Sequence, residues 1–111
     1  MKGNHIGELE ELVLLTVGIL HNEAYGVSVL QEIKEQTGRD VNISAVHAVM
    51  NRLEEKGLLD SNIGGATNIR GGRRKKYYAL SSGGRSIVEE LKTQRDKLYN
   101  QLPPLSYNFS I

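Results

Sequence analysis

Between Ile69 and Gly84 the chain reads IRGGRRKKYYALSSGG, with Arg70, Arg73, Arg74, Lys75 and Lys76 inside seven consecutive residues. Like charges at this density repel one another and favour a solvated run unless a neighbouring segment pins them. Here the pin follows directly, because Tyr77, Tyr78, Ala79 and Leu80 alternate as a strand does, with Tyr78 and Leu80 on one face and Tyr77 and Ala79 on the other. Upstream, LLDSNI reads as the partner strand and GGATNIRGG as a glycine-rich turn region. The result is a β-hairpin held to a core by the end of its second strand, with its basic residues projecting from the loop and the start of that strand. A chain of 111 residues has room for one core around such a wing, so a single domain, or a domain plus one helix, is expected.

The segments before the hairpin have helical periodicity. ELEELVLLTVGIL (Glu8–Leu20) places Leu9, Val13, Thr16 and Leu20 on one face and Leu12, Leu15 and Ile19 beside it, an apolar surface broad enough for two neighbours. HNEAYG offers a stop and a restart. A second helix from about Tyr25 carries Tyr25, Val29, Leu30 and Ile33 at core spacing and should end at Gly38. SAVHAVMNRLEEKG (Ser44–Gly57) predicts a third helix, with Ser44 as its N-cap, Val46, Val49, Met50 and Leu53 as its buried stripe, and Gly57 beyond its end. On the outer face of this third helix, Ser44, Ala45, His47, Ala48 and Asn51 are small or hydrogen-bonding, and Glu54 and Glu55 come only near the end. Such a face permits close approach to a groove edge, and the backbone N–H groups at a helix start favour phosphate.

After the hairpin, SSGGRSIVEELKTQRDKLYNQLPP predicts a fourth helix capped by Ser81 or Ser82 and stopped by Pro103 and Pro104. Ile87, Leu91, Gln94, Leu98 and Leu102 recur along it as a seam longer than one small domain needs. That seam, with Leu12, Leu15 and Ile19 of the first helix, is expected to pair with a second copy of the chain. The fold class is therefore mainly α with a small β-hairpin: a winged helix-turn-helix domain over residues 1–82, a C-terminal dimerisation helix over 83–104 and a tail over 105–111.

Charge points to the partner. The first sixty residues hold five basic and ten acidic side chains and the remainder nine and three, although the whole chain has a net charge of only +1. A localised basic surface attracts a polyanion even when the molecule is nearly neutral overall. Double-stranded DNA is the expected partner. The wing residues Arg70, Arg73, Arg74, Lys75 and Lys76 are expected on phosphates, Ser44, Ala45, His47, Ala48 and Asn51 at base edges, and Arg52 toward the backbone. A winged-helix module that binds RNA or a protein is the alternative. Against catalysis, the chain has no cysteine, His5, His21 and His47 lack metalloprotease spacing, and Glu54 and Glu55 point to different sides of a helix. No metal or cofactor is expected. The longest apolar stretch, Leu12 to Leu20, is about half of what a bilayer requires, so a soluble, cytoplasmic protein without a membrane partner is expected.

Three segments, YGVSVLQEI (Tyr25–Ile33), RLEEKGLL (Arg52–Leu59) and RRKKYYALSSGGR (Arg73–Arg85), resemble the characteristic segments of the PadR transcriptional regulators in their order and approximate spacing. The resemblance runs over roughly Leu9 to Leu102. It implies a bacterial, dimeric, DNA-binding repressor, released by a small-molecule effector of unspecified chemistry or by another signal. Family members commonly begin the third helix with Thr-Leu-Tyr-Pro, where this chain has Ala45, Val46, His47 and Ala48, so a different operator is expected. Some members hold planar drugs against a tryptophan at the dimer centre; this chain has no tryptophan, and that ligand site is not carried over.

Overall fold

The computed structural model describes residues 5–64 and 75–104. Arg70, Arg73 and Arg74 of the basic run and the tail from residue 105 lie outside the described residues. Helix α1 (Glu8–Leu20) runs into a short 3-10 turn (His21–Glu23), followed by α2 (Gly26–Thr37), α3 (Ile43–Glu55), strands β1 (Leu59–Gly64) and β2 (Lys75–Leu80), and α4 (Ser82–Tyr99). The strands pair antiparallel, with Leu59 opposite Leu80, Ser61 opposite Tyr78 and Ile63 opposite Lys76. This is the winged helix-turn-helix order expected from the sequence.

Local chemistry sets the boundaries. Gly38 takes φ 75° at the end of α2, and Gly57 takes φ 80° just beyond α3, both in the left-handed region open to glycine. Around Gly57 the chain closes in a double turn: the Gly57 N–H donates to the Glu54 carbonyl at 2.9 Å and the Leu58 N–H to the Leu53 carbonyl at 2.9 Å. The cap of α3 corrects the sequence reading. Asn42, not Ser44, is the N-cap, and its Oδ1 accepts the Ala45 N–H at 3.0 Å. Asn and Ser are about equally good caps, and starting from Asn42 puts Ile43 and Ser44 inside the first turn.

The core gathers Val13, Leu14 and Val17 of α1, Val29 and Ile33 of α2, and Val46, Val49, Met50 and Leu53 of α3 under Leu59, Tyr78 and Ile87. Leu14, Ile33, Met50 and Leu53 have no exposed surface, and each contributes about 2–3 kcal/mol by leaving water. The stripe expected along α3 is buried as read. In α1 the deepest positions include Leu14 and Val17, while Leu15 and Ile19 are 44% and 57% exposed. Tyr78 and Leu80 turn toward the core as the alternation required, and the Tyr78 N–H donates to the Ala24 carbonyl at 2.8 Å, fixing β2 beside the turn before α2.

Two junctions lock these pieces together. At the first, the Ser81 Oγ donates to the Gly57 carbonyl at 2.7 Å and accepts the Gly84 N–H at 3.0 Å, so one side chain caps α4 and ties it to the end of α3. A Cβ on Gly84 would collide with the Leu58 carbonyl oxygen, a backbone atom that cannot step aside. The first turns of α4 thus complete the chain's own core. Ile87, expected in a partner-facing seam, is 8% exposed and belongs to that core, and Leu91 packs at its edge. From Lys92 to Tyr99 every residue is exposed. The helix ends at Tyr99, ahead of the prolines expected to stop it, with the Leu102 N–H donating to the Tyr99 carbonyl in a following turn.

At the second junction Glu10, only 6% exposed, accepts the Gly7 N–H at 2.9 Å, the Arg52 Nε–H at 3.0 Å and the Lys56 ammonium at 3.0 and 3.1 Å. Burial by itself would raise the Glu10 pKa, but the Gly7 N–H and then Lys56 and Arg52 more than offset it, lowering it from 4.5 to about 2. Thr16, the other buried polar side chain of α1, is satisfied by the Leu12 carbonyl at 2.7 Å.

Two predictions follow from these junctions. Gly84→Ala should cost about 1–3 kcal/mol through the Leu58 contact, seen as a lower midpoint in urea, against the gain that Gly→Ala normally gives within a helix. A carboxyl with a lowered folded-state pKa stabilises the fold above its unfolded pKa and loses that contribution as pH falls. The wild-type chain should therefore exceed Glu10→Gln in stability by roughly 3 kcal/mol at neutral pH. The gap should close between about pH 5 and pH 2 when unfolding is followed across that range.

Candidate nucleic-acid interface

Helix α2, the connector after Gly38 and helix α3 form the helix-turn-helix. The chain bends by 119° between the α1 segment and α2, and Lys34–Asp40 at 2.7 Å and Arg39–Glu8 at 2.8 Å bridge the connector at the surface. With the stripe from Val46 to Leu53 buried, the opposite ridge of α3 carries Ser44, His47, Ala48 and Asn51, all exposed. Ala45 is half-buried on one flank, where its N–H is taken by the cap. Arg52 lies on the same helix but is committed through its Nε to Glu10, with about half of its side chain (51%) still exposed. Its first role is to hold α3 against α1, which the sequence reading did not anticipate.

The hairpin covers the other flank. Glu54 accepts the Ser61 hydroxyl of β1 at 2.6 Å and pairs with the Lys76 ammonium of β2 at 3.1 Å. The Ser61 bond first, and then Lys76, hold the Glu54 carboxyl below its ordinary range, and Glu54 raises the Lys76 ammonium above its own. The Lys76 ammonium also lies 5.3 Å from the centre of the Tyr78 ring. The Tyr78 hydroxyl donates to the Asn51 Oδ1 at 3.4 Å, a long contact that turns the carbonyl end of that amide toward the wing. On the opposite face of β2, Lys75 stands 4.3 Å over the Tyr25 ring and Tyr77 meets the same ring edge-on at 5.5 Å. Both strand tyrosines are packing residues, as the alternation indicated.

The start of α2 completes the surface. The Tyr25 N–H donates to the Ser28 Oγ at 2.9 Å, and the Ser28 hydroxyl donates in turn to the Glu23 carbonyl at 2.7 Å. The His47 ring rests on Gly26, where a Cβ would come within 2.5 Å of its Cε1. Between these elements lies an open groove of about 480 Å³, lined by Tyr25, Gly26, Val27, His47, Asn51, Lys75, Lys76 and Tyr78. The structure thus brings His47, Asn51, Lys75 and Lys76 to one groove and sets Ser44 and Ala48 on the ridge above it. The wing residues Arg70, Arg73 and Arg74 lie outside the described residues. Sequence reasoning missed Tyr25 and Gly26 as groove residues; the signal was a glycine directly after the cap of a helix, read only as a restart.

Among the described residues no group of three or more His, Asp or Glu side chains is placed to hold a metal ion, and no single helix is long and apolar enough to cross a membrane.

Comparison with known proteins agrees with this architecture. The family pattern described as the transcriptional regulator PadR-like family matches residues 14–90. A PadR-like transcription factor from Bacteroides fragilis is 29% identical, with a TM-score of 0.69 over 83% of this chain and 84% of that one. A PadR family transcriptional regulator from Eggerthella lenta is 27% identical, with a TM-score of 0.67 over 84% of this chain and 80% of that one. A PadR-like regulator from Bacillus cereus, 18% identical, shares the fold with a TM-score of 0.71 over 91% of this chain and 93% of that one. No curated protein matches. With its helix order, its two-stranded wing and more than half of its length matched by that family pattern, this chain belongs to the PadR-like family and is a transcriptional regulator.

Proposed function

We propose that the protein binds DNA sequence-specifically, as a homodimer on a two-fold operator, and acts as a repressor. The observation that carries this reading is the division of α3. Its outward ridge presents the exposed, small or hydrogen-bonding Ser44, His47, Ala48 and Asn51, whereas Arg52, Glu54 and Lys56 are tied to Glu10 or to the hairpin. A ridge of this kind fits a major groove, and Asn51 can exchange a pair of hydrogen bonds with an adenine edge. The wing residues Arg70, Arg73, Arg74 and Lys75 are read as phosphate contacts beside it.

The dimer is supported by the apolar residues that the chain's own core leaves uncovered. Leu15 and Ile19 of α1 are exposed, and Leu98, Tyr99 and Leu102 are 61%, 70% and 63% exposed at the end of α4. Arg95 grips Glu11 with two bonds at 2.7 and 3.1 Å, holding the two helices side by side. A second copy related by a two-fold axis would cover both patches and place two α3 helices for successive major-groove faces about 34 Å apart. A dimer seated across two half-sites excludes other proteins from that DNA, the simplest mode of repression.

Selection of bound sequences from random duplexes should yield a two-fold motif. Asn51→Ala should then weaken binding to that motif by about 1–3 kcal/mol and to shuffled DNA far less. Equal losses would move sequence reading away from α3, and better competition by structured RNA would favour an RNA-binding role. For the dimer, Leu98→Glu with Leu102→Glu is the cleaner probe, because Leu91 also supports the chain's own core. That variant should sediment as a folded monomer and lose the two-fold motif, and a variant that still sediments as a dimer would place the interface elsewhere.

A further inference from the structure

The contact between Glu54, Ser61 and Lys76 has no role in the phosphate reading of the wing, and its geometry assigns it one. Asn51 and Glu54 are three apart on α3 and so face the same side. On the hairpin, Tyr78 stands opposite Ser61 in the ladder and Lys76 opposite Ile63, with Lys76 and Tyr78 two apart on one strand and therefore on one face. The helix side with Asn51 and Glu54 meets the hairpin side with Ser61, Lys76 and Tyr78. There Glu54 takes one bond from each strand, 2.6 Å from the Ser61 hydroxyl and 3.1 Å from the Lys76 ammonium. A carboxylate gripped from two strands resists sliding and rolling of the hairpin in a way that apolar contact alone does not. Lys76 is exposed (42% of its side chain) but engaged, its charge paired with Glu54 and its ammonium 5.3 Å from the centre of the Tyr78 ring. Lys75 differs, because among the described residues it meets an aromatic ring and no carboxylate.

We propose that Glu54 is a positioning residue for sequence reading, which fixes the wing against α3 through Ser61 and Lys76, so that Lys76 sets the wing's angle instead of neutralising a DNA phosphate. This rests on the DNA-binding reading above. A carboxylate on the flank of a DNA-facing helix would ordinarily repel the backbone. Held by Lys76 it carries little net field, and what it contributes is geometry.

The test compares the full-length wild-type chain with Glu54→Gln, Lys76→Gln and Ser61→Ala on the selected duplex and on a shuffled one, across a salt series, with circular dichroism confirming the fold. Glu54→Gln releases Lys76, so binding to shuffled DNA should hold or tighten and the log–log salt slope should steepen by about 0.9. Its preference for the selected duplex should fall about tenfold, the size of one lost base contact. Lys76→Gln should lose preference to a similar extent without flattening the slope on shuffled DNA. Ser61→Ala, the mildest change, should lose part of the preference and decides the matter if Glu54→Gln does not fold. The proposal is overturned if Glu54→Gln or, in that case, Ser61→Ala keeps the wild-type preference, or if Lys76→Gln flattens the slope by about 0.9. A wild-type chain that prefers no duplex would overturn the DNA-binding reading itself, and this proposal with it.

Discussion

The buried carboxylate of Glu10 is the fixed point of the helical half of the molecule. An isolated carboxylate at 6% exposure would be costly, yet this one accepts from the Gly7 backbone, Arg52 and Lys56, and its oxygens are satisfied from two directions. Two of those partners lie on or just beyond the last turns of α3, so the ion cluster clamps the far end of that helix to the start of α1. The aliphatic contacts of Val46, Val49, Met50 and Leu53 bury α3 and set which of its faces turns inward, but they add no directional bond at its far end. Glu10 supplies the direction. It also redefines Arg52, which in a purely surface reading belongs to the partner and in the folded chain belongs first to the scaffold.

The second fixed point is the junction of Gly57, Leu58, Ser81 and Gly84. It explains why a glycine-closed helix and a serine-glycine turn, separated by the whole hairpin, occur in one short chain. The double turn at Gly57 brings Leu58 around so that its carbonyl faces the first turn of α4 and accepts the Ser81 N–H at 3.2 Å, and only a residue without a Cβ fits at position 84. The hairpin therefore leaves from and returns to the same point, which confines the base of its two strands beside α3. Because α4 starts at that point, its first turns are obliged to finish the core, and beyond Leu91 its residues are exposed while Arg95 still ties the helix to Glu11 of α1.

Much of this was legible in the sequence, for reasons that can be named. Gly38 and Gly57 ended helices where glycine was needed for a left-handed backbone, and the 3.6-residue stripe on α3 and the two-residue alternation of β2 reported burial directly. What escaped depended on partners distant in the chain. Nothing local to Glu10, in an acidic first turn that suits any helix start, indicates that it is buried or that Arg52 and Lys56 reach it. Lys76 read as one more charge in a run because its partner, Glu54, lies on another element. The cap was misplaced from Asn42 to Ser44 because two good capping residues stand two apart and only the backbone entry angle distinguishes them. In α1 the apolar residues are so dense that periodicity alone could not separate Leu14 and Val17, which are buried, from Leu15 and Ile19, which are not.

These corrections change what the basic run means. Read as sequence, its five cations form one electrostatic patch and are interchangeable. In the fold, Lys75 lies over an aromatic ring at the mouth of the groove and Lys76 is paired with a carboxylate of the helix beside it. Neighbouring lysines on a strand point to opposite faces, so the pleat itself divides Lys75 from Lys76, one on the side that faces Tyr25 and the other on the side that docks on α3. A long-range field needs only net charge, but discrimination between sequences requires the helix and the wing to keep a fixed relation while both touch the same duplex. On the DNA-binding reading proposed above, one stretch of chain would meet both requirements, because alternation would let one cation strengthen the field while its neighbour holds the frame.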